Sequence, residues 1–315
     1  MNEHACVLGI DIGGTNLRVA LADLSGKILA RTSSTTTNVR DAHSVVAKIR
    51  ECTDQLLQEV GLARTAIAAM GAGAPGVTNT ETGVVVATSY LMGWHDVPLK
   101  SMLEDAMGVP VAVDNDVNLA ALGESSFGIA NGTPNFVFLA VGTGVGAGII
   151  LKGELFQGSA WTAGEIGYML VPGVSEKPAA AGRPGPLESM AGGEGLRLKW
   201  LSLWPSTQTK LPKNLTATQI FDGAVAGDAL ANSLLDRAAY TLACAIHNMT
   251  LILNAPLFIL GGSVGLHPAL RDRTQSAVDA HARRLRPRVV LSSLGSDAQI
   301  MGAVRLGQLI AQQRS

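Results

Sequence analysis

The chain has 315 residues, 47% hydrophobic and 16% charged, with a formal net charge of −1. That is enough apolar mass for two ordinary domains, and a balance so near neutrality gives no reason to expect nucleic acid or an anionic membrane as a partner. Residues 1–5 carry Glu3 and His4 with no basic run before an apolar stretch, so no secretory signal is expected. The longest apolar stretches, 136–151 and 241–260, are broken by glycines or by His247, Asn248 and Asn254, and read as buried strands and a core helix rather than a membrane span. Cys6, Cys52 and Cys244 are far apart and odd in number. They predict neither a disulfide framework nor a cysteine zinc site, and so favour a reducing cytoplasm.

In chain order, apolar runs at 6–12 and 17–22 flank Gly9-Ile10-Asp11-Ile12-Gly13-Gly14-Thr15. The pattern is strand, glycine turn, strand. A third strand is predicted near 27–31 and a helix over 41–60. A buried strand at 66–72 runs into Gly73-Ala74-Pro75-Gly76. A strand at 84–87 and a short helix at 99–106 follow. The strand at 109–113 ends on Asp114-Asn115-Asp116, ahead of a helix over 117–126. The second half opens on Val141-Gly142-Thr143-Gly144-Val145-Gly146-Ala147-Gly148 between runs at 136–141 and 147–151. A loop rich in Pro, Gly and Ala spans 171–186, then helical stretches at 187–203, 216–223 and 228–253. A strand at 257–260 leads into Gly261-Gly262-Ser263, and a helix over 268–285, a strand at 288–291 and a helix over 297–312 close the chain. The class is α/β. The repeated glycine hairpin suggests two related halves: a smaller domain of 1–116 plus about 298–315, and a larger one of 117–297.

Two such hairpins can hold a polyphosphate on their backbone N–H groups, because a Cβ would block the approach. Gly13, Gly14 and Thr15, with Gly142, Thr143 and Gly144, are therefore candidate nucleotide-binding residues. Asp11, at the end of the first strand, is the candidate Mg²⁺ residue, acting through water. A dinucleotide fingerprint is not expected, since that motif runs from strand straight into helix. Asp116 is the candidate general base for phosphoryl transfer to an alcohol, with Asn115 suited to a pair of sugar hydroxyls. The same polar cluster also suits a helix N-cap, and both roles stand together. Glu165 in Gly164-Glu165-Ile166-Gly167 and Glu188 in Leu187-Glu188-Ser189 can accept hydrogen bonds from vicinal hydroxyls, or simply face solvent. Gly261 and Gly262 allow a backbone approach to adenosine, or form a plain turn. Arg18 reads as a strand-surface residue, and Trp94, Trp161 and Trp200 as packing.

Together these motifs resemble the ROK family (repressors, open reading frames and kinases) across nearly the whole chain. Residues 9–18 look like its first phosphate motif and 71–76 its sugar-side turn. Residues 113–118 look like its catalytic Asn-Asp segment, and 142–148 its second phosphate motif. Segments 164–167 and 187–189 match its sugar-binding segments, 254–262 its adenosine region and 294–303 its C-terminal signature. The resemblance implies an actin-like, hexokinase-like fold of two ribonuclease H-like repeats with a cleft between them. It also implies transfer of the ATP γ-phosphoryl to a sugar hydroxyl, commonly O6, with Gly76, Asn115, Asp116, Glu165, Tyr168 and Glu188 as sugar-side residues. ATP, Mg²⁺ and a small sugar are the expected ligands, and a homodimer is the expected assembly. Three departures stand out. Tyr168 occupies the place of a histidine that touches sugar and zinc. Gly182-Arg183-Pro184-Gly185-Pro186 replaces the family cysteine cluster, so no structural zinc is expected. Ser89-Tyr90 replaces a Pro-Asn pair. Two other readings remain: a sugar-responsive regulator without catalysis, and a nucleotide hydrolase of the same architecture. The first strand begins by Cys6, which leaves no room for a DNA-binding domain before it, and the Asn115-Asp116 pair and the two glutamates argue against the hydrolase.

Overall fold

The computed structural model describes residues 6–37, 41–88, 91, 93–174, 184–204, 209–281 and 285–313. Their contacts form two compact units. One comprises the residues up to Gly132, Gln157–Thr162 and those from Asp297 onward; the other is Thr133–Phe156 with Ala163–Ser296.

The first unit is built on strands β1 (Cys6–Ile12), β2 (Asn16–Asp23), β3 (Ile28–Thr35) and β4 (Ile67–Ala74). A small antiparallel sheet of β5 (Val77–Asn79), β6 (Val84–Ala87) and β7 (His95–Val97) precedes the fifth main strand, β8 (Val111–Asn115). The order is β3-β2-β1-β4-β8, with the hairpin strands antiparallel and β1, β4 and β8 parallel. The period-two pattern of β1 explains why both faces are covered. Cys6, Leu8, Ile10 and Ile12 join one core with Val45, Ile49 and Leu56 of helix α1 (Ala42–Val60). Val7 turns the other way, toward Ile300 and Val304. Asp41 caps α1 by accepting from Ser44 N at 2.9 Å. Helix α2 (Leu99–Met107) follows β7, and α3 (Asp116–Phe127) starts directly from β8.

The second unit repeats the plan. Strands β9 (Phe136–Val141), β10 (Val145–Leu151), β11 (Glu154–Leu155), β12 (Leu257–Gly261) and β13 (Arg288–Leu291) take the order β11-β10-β9-β12-β13 with the same strand senses. Its helices are α4 (Pro186–Ala191), α5 (Gly193–Leu203), α6 (Ala217–Val225), α7 (Ala229–Leu253), α8 (Gly262–Gly265) and α9 (Pro268–His281). Val137 and Leu139 of β9, Leu187, Trp200, Phe221, Leu242 and Ile246 share one core. The last helix, α10 (Ala298–Gln313), belongs to the first unit and packs on α3, β4 and β1. No described helix is long and apolar enough to cross a membrane.

The structure differs from the sequence reading in particular places. The helix expected over 187–203 is two helices, because Gly192 is extended (φ −71°, ψ 150°) between them. The strand expected at 109–113 runs from Val111 to Asn115, displaced by the left-handed Gly108 cap and by Pro110, whose ring removes a ladder donor. The helix expected to reach Leu285 is described to His281, and Leu285 is not helical; residues 282–284 lie outside the described residues. Trp94 and Trp200 are buried, as packing residues should be.

Trp200 anchors the second core, and its indole N–H donates to the carbonyls of Pro212 at 3.3 Å and Lys213 at 3.1 Å. Trp200→Ala should cost about 3–5 kcal/mol, read from denaturant unfolding; a loss below about 1 kcal/mol would contradict that anchoring role.

Candidate active site

The first glycine turn joins β1 to β2 and is held from below. Gly13 N donates to Asn16 O at 2.7 Å, Thr36 Oγ1 to Gly13 O at 3.0 Å, and Thr36 N to Thr15 O at 2.9 Å. Gly13 and Gly14 are half-buried and Thr15 is exposed. The hairpin register sets Asp11 opposite Arg18. Arg18 donates through Nε at 2.7 Å to Asp11 Oδ2, and its Nη2 lies 2.6 Å from the same oxygen. Arg18 is thus not a plain strand-surface residue; it is half-buried and ion-paired, and it also donates to Gln299 Oε1 at 3.3 Å. Burial raises the Asp11 pKa, and the charge and hydrogen bond of Arg18 oppose that rise.

The three polar residues at the end of β8 divide their work. Asp114 is 4% exposed. Its Oδ1 accepts from Asn115 N at 2.7 Å and Asn118 Nδ2 at 2.8 Å, and its Oδ2 from Gln157 Nε2 at 2.8 Å. Burial still raises its pKa, with these hydrogen bonds opposing. Asn115 is the N-cap of α3: Oδ1 accepts from Val117 N at 2.8 Å and Asn118 N at 3.3 Å, while Nδ2 donates to Gly76 O at 2.8 Å. The capping reading therefore holds for Asn115, and one amide hydrogen is left over for another acceptor. Asp116 is the first residue of α3, and its Oδ1 accepts from Val117 N at 3.0 Å. A carboxylate in the first helical turn is favoured by the orphan N–H groups there.

In the second unit, Gly142 N donates to Gly144 O at 3.0 Å. The carbonyls of Gly142 and Thr143 accept from Gly193 N at 2.8 Å and Glu194 N at 3.1 Å, at the start of α5. The Gly192 break thus lets a helix N-terminus lock the back of the turn. A side chain on Gly142 would meet nothing within 4 Å, and Thr143 is exposed, so this turn faces open space. Gly261 and Gly262 carry β12 into α8. Gly262 sits at φ +81°, and a Cβ there would collide with the backbone of Val141, so backbone and packing alone require glycine.

Glu188, in the first turn of α4, reaches β10: its Oε2 accepts from Val145 N at 3.0 Å. Glu165 follows Gly164, which stands at φ +95° and where a Cβ would collide with the carbonyl of Ala147. Glu165 as a residue keeps contact with solvent, yet protein crowds its carboxyl. That desolvation, and then the charge of Glu188, raises its pKa above the ordinary range. Tyr168 ends the short helical turn Ile166–Tyr168 and is 59% exposed.

The first unit therefore carries Asp11, Gly13, Gly14, Thr15, Gly76, Asn115 and Asp116; the second carries Gly142, Thr143, Gly144, Glu165, Tyr168, Glu188, Gly261 and Gly262. Sequence reasoning missed Thr36, Gln157 and Gly192-Gly193. The Asp11–Arg18 pair was recoverable from hairpin register, whereas nothing local marks Gln157. Tyr90 and residues 175–183 lie outside the described residues. Among the described residues, no three His, Cys, Asp or Glu side chains are grouped to hold a metal ion.

The pattern of the ROK family matches residues 7–309. The chain belongs to the ROK family. It is 32% identical over 322 residues to the glucokinase of Halalkalibacterium halodurans, covering 98% of this chain and 96% of that one. The beta-glucoside kinase of Listeria monocytogenes is 30% identical over 265 residues, 83% of this chain and 84% of the relative. The crystal structure of a ROK family glucokinase from Streptomyces griseus, in complex with glucose and AMPPNP, superposes with a TM-score of 0.78 at 25% identity, covering 96% and 99% of the two chains. The fold is accordingly the actin-like, two-domain fold of ROK kinases, and the repeated sheets are its two halves.

The raised pKa of Glu165 has a stability consequence. A carboxyl whose folded pKa lies above its unfolded value, about 4.3, makes the fold lose stability as pH rises from that value through the folded one. Glu165→Gln removes this penalty. The Tm of the variant should pull ahead of the parent as pH rises through that interval and hold its lead above it; a gap unchanged with pH would contradict the assignment.

Proposed function

We propose that this ROK protein is an ATP-dependent sugar kinase. It moves the γ-phosphoryl of ATP to a hydroxyl, O6 first among candidates, of a hexose or N-acetylhexosamine such as glucose, N-acetylglucosamine or N-acetylmannosamine. The observation that carries this reading is the division of labour at the end of β8. Asp114 and Asn115 hold the junction, and the Asp116 carboxylate follows them at the first turn of α3, its Oδ1 accepting from Val117 N, where it would act as the base. Phosphoryl transfer asks for little more than this: positioning, charge neutralisation and an acceptor for the hydroxyl proton.

The other residues take matching parts. Glu165 and Glu188 repel one another. Sugar hydroxyls donating to both would relieve that repulsion and orient the acceptor. Asn115 has an amide hydrogen to add, and Gly76 shapes its turn. Gly13, Gly14 and Thr15 with Gly142, Thr143 and Gly144 would meet the phosphates, and Gly261 and Gly262 the adenosine. Asp11 suits a water-mediated Mg²⁺, since it is a buried carboxylate whose desolvation outweighs its one ion pair. The ion would bridge and neutralise the phosphates. The printed names of the relatives, glucokinase and beta-glucoside kinase, and the AMPPNP complex support a sugar acceptor and a nucleotide donor. Exposed Tyr168 would be the residue that sets this chain's sugar preference apart. A cytoplasmic homodimer without structural zinc completes the reading.

The test is ADP release with Mg-ATP across glucose, mannose, fructose, allose, glucosamine, N-acetylglucosamine and N-acetylmannosamine. Asp116→Ala should lower kcat by roughly 10²–10⁴-fold. Near-normal turnover in that variant would sink Asp116 as the base, and silence across the panel with sugar still bound would favour a regulator. Elemental analysis of the purified protein should find no stoichiometric zinc; one tightly held zinc per chain would refute the reading of residues 168–186.

A further inference from the structure

We propose that Gln157 is a positioning residue for the Asn115–Asp116 junction; the proposal rests on Asp116 being the base. The chain of contacts is continuous. Thr80 Oγ1 donates to Gln157 Oε1 at 2.8 Å, and Gln157 Nε2 donates to Asp114 Oδ2 at 2.8 Å. The other oxygen of Asp114 accepts from the backbone N of Asn115 and from Asn118 Nδ2 in the first turns of α3. One buried carboxylate thus joins three segments: the turn after β5, the segment Gln157–Thr162 and the start of α3.

The chemistry explains why a glutamine stands there. The side chain must accept from a hydroxyl with one atom and donate to a carboxylate with the other. An amide does both, a carboxylate cannot donate, and asparagine is one methylene shorter. The topology explains why the junction needs it. Among the described residues β8 is the last strand of its sheet, and the backbone ladder there holds it through β4. The final rungs, Gly73 to Asp114 and Ala74 to Asn115, lie at the strand end, next to the residue that must take a proton. Side-chain bonds supply the remaining restraint: Asn115 to Gly76 on one hand, Gln157 to Asp114 on the other. Among the described residues, the hydrogen bonds of Gln157 go to Thr80 and Asp114, so its effect passes through Asp114. A misplaced catalytic group costs rate before it costs donor binding.

The experiment is steady-state kinetics with Mg-ATP and the best sugar of the panel, on four variants of the full chain. Gln157→Leu keeps the size and removes both bonds. It should lower kcat about 10–100-fold while KM for ATP stays within about twofold. Gln157→Glu alone should do likewise, because two carboxylates then face each other with no proton to share. The double variant Asp114→Asn/Gln157→Glu inverts the pair: the new amide donates to the new carboxylate, which still accepts from Thr80. It should recover most of the lost kcat. Asp116→Asn is the fourth variant. If it retains near-full turnover, the base assignment has failed, whatever Gln157 does. If Asp116→Asn is inactive and Gln157→Leu has normal kcat, the positioning proposal is overturned while the base stands. A loss in Gln157→Leu matched by an equal rise in KM for ATP, or an inverted pair no more active and no better folded than the single variants, would also overturn it.

Discussion

Ending a buried strand on three consecutive polar residues is the constraint on which the first unit depends. A carboxylate out of water is costly unless its lone pairs are met. Asp114 is met three times, by the backbone of Asn115, by Asn118 and by Gln157. Those bonds oppose the desolvation, which still raises the Asp114 pKa, and they tie together segments that backbone pairing alone would leave loose. Asn115 then starts α3 and fastens the turn at Gly76. With strand, helix and turn locked to one another, Asp116 is delivered at a defined place on rigid secondary structure rather than on a loop.

The second unit uses the same sheet for a different end. Its glycine turn is braced by the start of α5, and the first residue of β10 is braced by Glu188. Here burial first, and then the charge of Glu188, raises the pKa of Glu165. Such a pair is poor as a structural device and good as a receiver of hydroxyl donors. The first unit uses its hydrogen bonds to fix the start of α3, while the second uses the start of α5 and Glu188 to fix its glycine turn.

Much of this was legible in the chain because glycine hairpins and strand periodicity are local signals. Leu8, Ile10 and Ile12 against Val7 show both faces of β1 covered, and the helices expected from 41 and from 228 begin one residue later, at Ala42 and Ala229. What escaped depends on distant partners. That Asn115 caps α3 could be seen only once Val117, Asn118 and Gly76 were placed around it. Arg18 looked like a surface residue until hairpin register set it opposite Asp11. Gln157 lies 43 residues from Asp114 and 77 from Thr80, in no motif. The break at Gly192 was hidden because two short helices in series have nearly the periodicity of one.

The central claim is that the phosphoryl group of ATP goes to a sugar hydroxyl. The most direct test is ³¹P NMR of the protein with Mg-ATP and each sugar in turn. The account predicts a sugar-monophosphate resonance growing in step with ADP, and no free phosphate beyond the sugar-free control. ADP accompanied only by inorganic phosphate would make the protein a hydrolase and contradict the account.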